Sequence, residues 1–175
     1  MKKKLKIILL TCVLTLIGTY TIDAASVSIL SWYLNGDNGK LRYYIYNSNY
    51  SSETSFASRK WNEAKSGIAS RVYDSSIADV IISDVNISNT SVLGTTDPNG
   101  FIRYNRANLE KSSSTRKQHV AIHEMGHALG LAHNSGSRDV MKNPANDATF
   151  LTSNDKASLE ASYSRYRKWE IYEKI

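Results

Sequence analysis

The sequence predicts an α+β fold, close to α/β in the way its strands and helices alternate. After the first 25 residues, some segments show the two-residue period of a strand and others the 3.6-residue period of an amphipathic helix. They follow one another as a strand, a helix, further strands with an edge hairpin, a second helix, a loop and a last helix. The chain of 175 residues contains no interior linker, so we predict one domain over residues 26–175.

Residues 1–25 are predicted to be a secretory signal peptide. Four lysines precede an apolar segment over residues 7–17, and residues 24–26 are small, as a signal peptidase requires. The apolar segment is short for a membrane span, although an uncleaved N-terminal anchor stays an alternative. The only cysteine, Cys12, lies in this leader. The remaining chain therefore has no thiol for a disulfide, a nucleophile or a zinc site, and we expect it to be secreted.

The charge of the chain does not indicate a nucleic-acid-binding protein. The formal net charge of +6 includes four lysines and Asp23 of the leader, and the other residues carry eighteen basic against fifteen acidic groups, or +3. These basic residues are scattered among acids and form no stripe interleaved with aromatic side chains. We expect no nucleic-acid partner, no stable membrane association after cleavage of the leader, and a monomer.

The first predicted elements are a strand and a helix. Leu41, Tyr43 and Ile45 alternate with side chains that can face solvent, which is typical of a strand with one buried face. A helix follows, for which Ser51 or Ser52 can provide the N-cap. Its apolar face is predicted from residues at helical spacing, namely Ala57, Trp61, Ala64 and Ile68.

The middle of the chain is predicted to add strands. Residues 69–73 form a weak strand, and residues 79–85 contain a β-branched run that suits a strand buried on both faces. Residues 92–96 and 101–105 flank Asp97-Pro98-Asn99-Gly100, a strong turn signal. The polar content of these two segments predicts strands at the edge of the sheet.

Two helices complete the fold. Thr115 and Gln118 have the spacing of a capping box at the start of the first of them. Ser153 and Asp155 are predicted to start the last helix. Its inward-facing residues are Leu159, Tyr163 and Tyr166.

The first of these helices carries the pattern H-E-x-x-H-x-x-G-x-x-H over residues 123–133. His123 and His127 are four residues apart, so both imidazoles project from one helix face and can hold one ion. Gly130 can adopt a positive φ and end the helix, so that His133 can reach the same ion. Neutral imidazole suits zinc, and three protein ligands leave a position for water, which is typical of a catalytic site.

Glu124 is the predicted general base. It directly follows the first ligand, which turns its carboxylate toward the substrate side rather than onto the metal. Zinc lowers the pKa of a water and polarises the substrate carbonyl, so Glu124 would take the proton as the water attacks and later deliver it to the leaving amine. His119 lies one turn before His123 and is interpreted as a helix-start residue without a metal role.

The eleven-residue pattern is the signature of the metzincin metalloproteases, and the chain most resembles a minimal bacterial matrixin-type catalytic domain. Met141 stands where this clan has its Met-turn, so the resemblance implies a hydrophobic floor beneath the ligands. It also implies a twisted, mostly parallel sheet with an antiparallel edge strand along the cleft. Residues 92–96 are the candidate for that edge strand, to which an extended polypeptide substrate would add.

The resemblance implies catalytic zinc on His123, His127 and His133, and it allows a structural calcium ion. Asp97, Asn99 and Gly100 could contribute oxygens to calcium, but a plain turn explains these residues equally well.

The chain also departs from the matrixin pattern. Asn134 follows the third histidine where matrixins usually have serine, and residues 142–144 are Lys-Asn-Pro in place of a Tyr-Pro wall of the S1′ pocket. The shape of this pocket therefore cannot be carried over. Latency by cysteine ligation is excluded because the chain has no cysteine outside the leader.

Together these observations predict a secreted zinc endopeptidase. One alternative is a secreted binding or adhesion module with a structural zinc, against which the intact Glu124 argues. A second alternative is a hydrolase of the peptide cross-links of the cell wall, which no wall-binding repeat supports.

Overall fold

The computed structural model describes residues 25–143 and 145–172. All of the predicted signal peptide except Ala25 lies outside these residues. Among the described residues, none of the helices combines the length and the apolar character that a membrane crossing requires.

The centre of the fold is a twisted sheet of five strands. Their order across the sheet is β2-β1-β3-β5-β4, and every neighbouring pair is parallel except β4 with β5, which is antiparallel. The α+β fold and the antiparallel edge strand are thereby confirmed. The strands are β1 (Leu41–Ile45), β2 (Ala69–Arg71), β3 (Val80–Val85), β4 (Gly94–Asp97) and β5 (Phe101–Asn105).

The α-helices of the described chain differ greatly in length. They are α1 (Ser51–Ala64), α2 (Arg106–Leu109), α3 (Ser114–Ala128) and α4 (Ser153–Tyr172). The sequence predicted all of them except α2, a single turn directly after β5. Helices α1 and α3 pack against each other, and α1 also contacts β2 while α3 contacts β4 and β5. The helix α3 therefore lies beside the antiparallel edge of the sheet.

Trp61 joins the two packed helices. Its side chain is fully buried, and its Nε1 donates a hydrogen bond of 3.0 Å to the carbonyl oxygen of Ile122 in α3. Leu41 and Ile82 on the strands are buried in the same core. The prediction that Trp61 is a core residue is confirmed.

The predicted cap of α1 is wrong. The N-cap position is Tyr50, without a capping side chain, and neither Ser51 nor Ser52 fills that role. The chain before the helix is held instead by long-range contacts: the Asn49 N–H donates to the Asp84 carboxylate at 2.8 Å, and Ser48 also donates to it at 2.7 Å. A contact with β3 cannot be read from the local sequence.

The predicted capping box of α3 is also wrong. The N-cap is Ser113, whose hydroxyl accepts a hydrogen bond of 3.1 Å from the Arg116 N–H. The helix begins at Ser114, so Thr115 lies inside its first turn. Residues 112–115 are all Ser or Thr, and each could supply a capping oxygen, so the sequence pattern did not select the correct one.

The prediction that both hairpin strands are edge strands holds for β4 and is wrong for β5. The strand β5 lies between β3 and β4, and its polar residues Tyr104 and Asn105 are buried. The Tyr104 hydroxyl lies 3.1 Å from Thr54 Oγ1, and the Asn105 side chain bonds the backbone of Ile87 and Val92. These polar groups can be internal because each of them has a hydrogen-bond partner.

We expect Trp61→Phe to lower the free energy of unfolding by about 2–3 kcal/mol, because it removes a buried hydrogen bond and leaves a cavity between α1 and α3. Urea unfolding followed by circular dichroism measures this change. Tyr46→Phe is the control, because Tyr46 is 62% exposed, and it should change the stability by less than about 0.5 kcal/mol. Equal stabilities of Trp61→Phe and the unmodified protein would contradict this assignment of the core.

Candidate metal centre

The structure brings the three predicted metal ligands together. His123 and His127 project from one face of α3, and their Nε2 atoms are 3.1 Å apart. The Nε2 of His133 lies 3.3 Å from that of His123. Among the described residues, these three histidines form the group of ligand-type side chains that could hold one metal ion.

The turn at Gly130 delivers His133. The helix ends at Ala128, and Gly130 has a φ of +87°, in the left-handed region that glycine adopts without strain. A Cβ at this position would lie only 2.4 Å from the Ser162 hydroxyl oxygen on α4. Both the backbone conformation and the space around it therefore require glycine here, as the sequence predicted.

The three imidazoles fit zinc in spacing and in chemistry. Tetrahedral ligand atoms at 2.0–2.1 Å from zinc are about 3.3–3.4 Å apart, close to the separations seen here. The Nδ1 of His123 donates to the Val140 carbonyl and that of His127 to the Leu131 carbonyl, each at 2.8 Å. Because a carbonyl can only accept, both histidines keep their Nε2 lone pairs for a metal.

Burial also favours the neutral form that binds metal. Desolvation, with a smaller contribution from the neighbouring His127, lowers the pKa of His123 to about 3. Desolvation lowers the pKa of His127 to about 4, and it also lowers the pKa of the more exposed His133. The imidazoles are therefore uncharged at neutral pH and need not lose a proton before a cation binds.

Glu124 lies beside the three histidines in the same cleft. This cleft has a volume of roughly 600 Å³ and runs between β4 and the segment of Lys142 and Asn143. Glu124 is 6% exposed, and its Oε2 accepts a hydrogen bond of 2.7 Å from the Thr96 hydroxyl. Burial raises the pKa of Glu124 to about 7, and the bond from Thr96 opposes this shift.

Met141 occupies the position that the resemblance implies. It is fully buried, and its Sδ would lie 2.4 Å from a Cβ placed on Gly126, which stands between the two histidines of α3. The absence of a side chain at Gly126 thus lets the methionine pack directly beneath the helix. The sequence predicted the role of Met141 but did not identify Gly126 as its partner.

Asp155 fixes the backbone around Met141. Its buried carboxylate accepts hydrogen bonds from the Val140 N–H at 3.0 Å and from the Met141 N–H at 3.3 Å. The carbonyl of the same Val140 accepts the bond from His123 Nδ1. Asp155 is therefore connected to a predicted ligand through one peptide unit. The sequence had suggested it only as a helix-start residue.

His119 takes no part in the three-histidine group. It is fully buried, and its Nδ1 donates to the Ala148 carbonyl at 2.8 Å. Its ring centroid lies 5.8 Å from that of His123. It lies in the second turn of α3, where it packs α3 against the loop that follows Met141.

The Asp97 turn is accounted for without an ion. One carboxylate oxygen of Asp97 accepts a hydrogen bond of 2.9 Å from the Asn99 N–H, and the other forms an ion pair with Arg103. The contacts of Asp97 therefore do not support a calcium site at this turn.

Comparison with known proteins places this geometry in a family. The family model described as Matrixin matches residues 31–164. Two solved structures of myroilysin have the same fold. The first has a TM-score of 0.56 at 13% identity, and the match covers 81% of this chain and 92% of the myroilysin chain. The second has a TM-score of 0.53 at 12% identity, and the match covers 74% of this chain and 95% of the myroilysin chain. A comparison with curated proteins finds no match.

We expect Asp155→Asn to weaken zinc binding by about tenfold, although Asp155 is not a ligand, because the peptide that orients His123 loses its support. Unfolding should also require about 1–3 kcal/mol less, since buried N–H groups lose an acceptor. Competition with a chromophoric chelator measures the affinity. Asp74→Asn is the control, because Asp74 only bonds within its own exposed turn. Unchanged affinity in Asp155→Asn would contradict the connection.

Proposed function

Because this chain belongs to the matrixin family and is a metzincin metalloendopeptidase, we propose that it is a secreted zinc endopeptidase with Glu124 as its general base. The observation that carries the proposal is the convergence of three imidazole Nε2 atoms beside one buried carboxylate in a single cleft. The family uses catalytic zinc, and its members act on polypeptides. Family membership favours this reading over a binding module with a structural zinc.

We assign the metal ligands to His123, His127 and His133. The spacing of their Nε2 atoms supports the assignment, and so do the Nδ1 hydrogen bonds that leave the Nε2 lone pairs of His123 and His127 free. When bound there, zinc supplies a Lewis acid that polarises the scissile carbonyl and makes water acidic.

Glu124 then moves the proton. Its Oε2 is held by Thr96, which leaves Oε1 to accept a proton from the attacking water. The same carboxyl group delivers this proton to the nitrogen of the leaving amine, so that one residue acts first as base and then as acid. Its burial favours such a role, because a carboxyl group whose pKa lies near 7 can both take and release a proton at neutral pH.

We propose that β4 orients the substrate. It forms one edge of the sheet, and within the described residues only β5 pairs with it. An extended peptide can add to the other side of β4 through backbone hydrogen bonds, which would place its carbonyl groups along the cleft beside Glu124. In this mode of binding the strand recognises the extended backbone of the substrate, while the preference for substrate side chains depends on the loops around the cleft.

Export is proposed from the sequence of residues 1–25. Mass spectrometry of the protein recovered from the culture medium tests it, with Ser26 expected as the N-terminal residue. A cell-bound protein that retains residues 1–25 would contradict cleavage and favour the uncleaved anchor.

We expect Glu124→Gln to lower kcat/KM on peptides by at least about 100-fold while one zinc per chain is kept, because the amide cannot take a proton. A fluorogenic peptide library and zinc analysis measure both effects. Glu110→Gln, at an exposed acid, is the matched control and should cleave normally. Undiminished cleavage by Glu124→Gln would remove Glu124 as the base. A zinc-loaded unmodified protein that cleaves no peptide would instead support a binding module.

The ligand assignment predicts a second contrast. His133→Ala should weaken zinc binding by more than the 10–100-fold that loss of a supporting hydrogen bond costs, because a direct ligand is lost. His119→Ala should keep one zinc per chain even though it removes a buried side chain of the same type. Zinc analysis after dialysis against a weak chelator compares the two. Loss of zinc from His119→Ala alone would refute the assignment.

A further inference from the structure

One face of the edge strand β4 packs against the side chain of Glu124. Successive residues of a strand point to opposite sides, so Gly94 and Thr96 share the side that faces α3. The opposite residues of β5 agree with this, because Gly94 pairs with Tyr104 and Thr96 with Ile102, and both β5 side chains are fully buried. Two consecutive inward positions of β4 therefore meet Glu124.

The first contact is a hydrogen bond. Thr96 Oγ1 lies 2.7 Å from Glu124 Oε2 and 2.9 Å from the backbone oxygen of Glu124. The hydroxyl carries one hydrogen, so when Glu124 is ionised the carboxylate is the stronger acceptor for it. Because Thr is branched at Cβ and lies in a paired strand, few orientations of this hydroxyl are available.

The second contact is a close approach that the missing side chain of Gly94 allows. A Cβ on Gly94 would lie 3.0 Å from Glu124 Cγ and 3.1 Å from its Oε1, and also 3.0 Å from Val120 Cγ1. Any side chain at this position would push against the Glu124 side chain. Gly94 thus leaves room for the Glu124 side chain, and Thr96 holds its Oε2 by a hydrogen bond.

We propose that Thr96 is a positioning residue that fixes the Glu124 carboxylate so that Oε1 faces the cleft. This inference rests on the proposed function of Glu124 as general base. Both acceptors that the Thr96 hydroxyl reaches belong to Glu124, so Thr96 acts through that residue. It also joins the base to the strand on which substrate would dock, so one short segment sets the distance between them.

The experiment compares four residues at position 96 in the full, zinc-loaded chain. Thr96→Val keeps the volume and removes the hydroxyl, Thr96→Ala removes the hydroxyl by truncation, and Thr96→Ser keeps it. We expect kcat to fall about tenfold or more in the Val and Ala variants, the size expected for a hydrogen bond to a charged group. KM and zinc content should stay within about twofold. Thr96→Ser should recover kcat to within about threefold.

Thr115→Val is the matched control, because Thr115 is exposed in the first turn of α3, and it should leave kcat unchanged. An unchanged kcat in a folded Thr96→Val variant would overturn the inference, as would a change confined to KM. A low kcat in Thr96→Ser would also overturn it, since packing of the methyl group would then explain the loss. If Thr96→Val does not fold, the comparison of Ala with Ser decides.

Glu124→Gln, measured on the same peptide, separates the two hypotheses. If it cleaves as fast as the unmodified protein, the proposed function fails and the role of Thr96 fails with it. If it is inactive while Thr96→Val and Thr96→Ala cleave normally, only the role of Thr96 is wrong.

Discussion

The left-handed turn at Gly130 is the constraint on which the site depends. It ends α3 after the second histidine and directs the chain back so that the third can approach the other two. Neighbouring elements hold it: the Ser162 hydroxyl on α4 donates to the Leu129 carbonyl, and the Leu30 N–H donates to the Gly130 carbonyl, each at 2.8 Å. A larger residue would strain the backbone and meet Ser162 at the same time. The last helix and the N-terminal segment thus support a site to which neither contributes a ligand.

The remaining geometry is set by hydrogen bonds that fix which nitrogen of each helical histidine is free. His123 and His127 both donate through Nδ1 to backbone carbonyls outside α3, so their orientation depends on how the following loops are held. For His123 the support continues through Val140 to the Asp155 carboxylate, which is fully buried and bonded by Thr152 as well. A buried carboxylate is costly unless its oxygens accept several hydrogen bonds, and Asp155 accepts them from the segment that carries Met141. The hydrogen bonds of Asp155, at the start of α4, therefore also support the orientation of the His123 imidazole.

The sequence predicted the parts of the structure that depend on local periodicity. The helix that carries the first two histidines, the turn at Gly130 and the strand β1 all follow from spacings of two to four residues along the chain. The sequence-based prediction failed where a contact with a distant segment determines the structure. Tyr104 is internal because Thr54 meets its hydroxyl, and α1 needs no serine cap because Asp84 holds the chain before it. The contact of Thr96 with Glu124 joins residues 28 positions apart, and a lone threonine in a polar strand gives no sign of it.

The environment of Glu124 is energetically unfavourable for a carboxylate. A carboxyl group with little exposure and one side-chain donor is poorly compensated for the loss of water, and its raised pKa reflects this cost. A protein that needed only a structural metal site would be more stable with an apolar or amide side chain in this place. Ionisable groups with strongly shifted pKa values are concentrated at functional sites, where the shift serves the reaction. Asp155 offers the contrast within the same chain, because it is fully buried yet its carboxylate accepts four hydrogen bonds from Val140, Met141 and Thr152. The Asp155 carboxylate is stabilised by its hydrogen bonds, whereas the Glu124 carboxyl group keeps the raised pKa that suits the proposed general base.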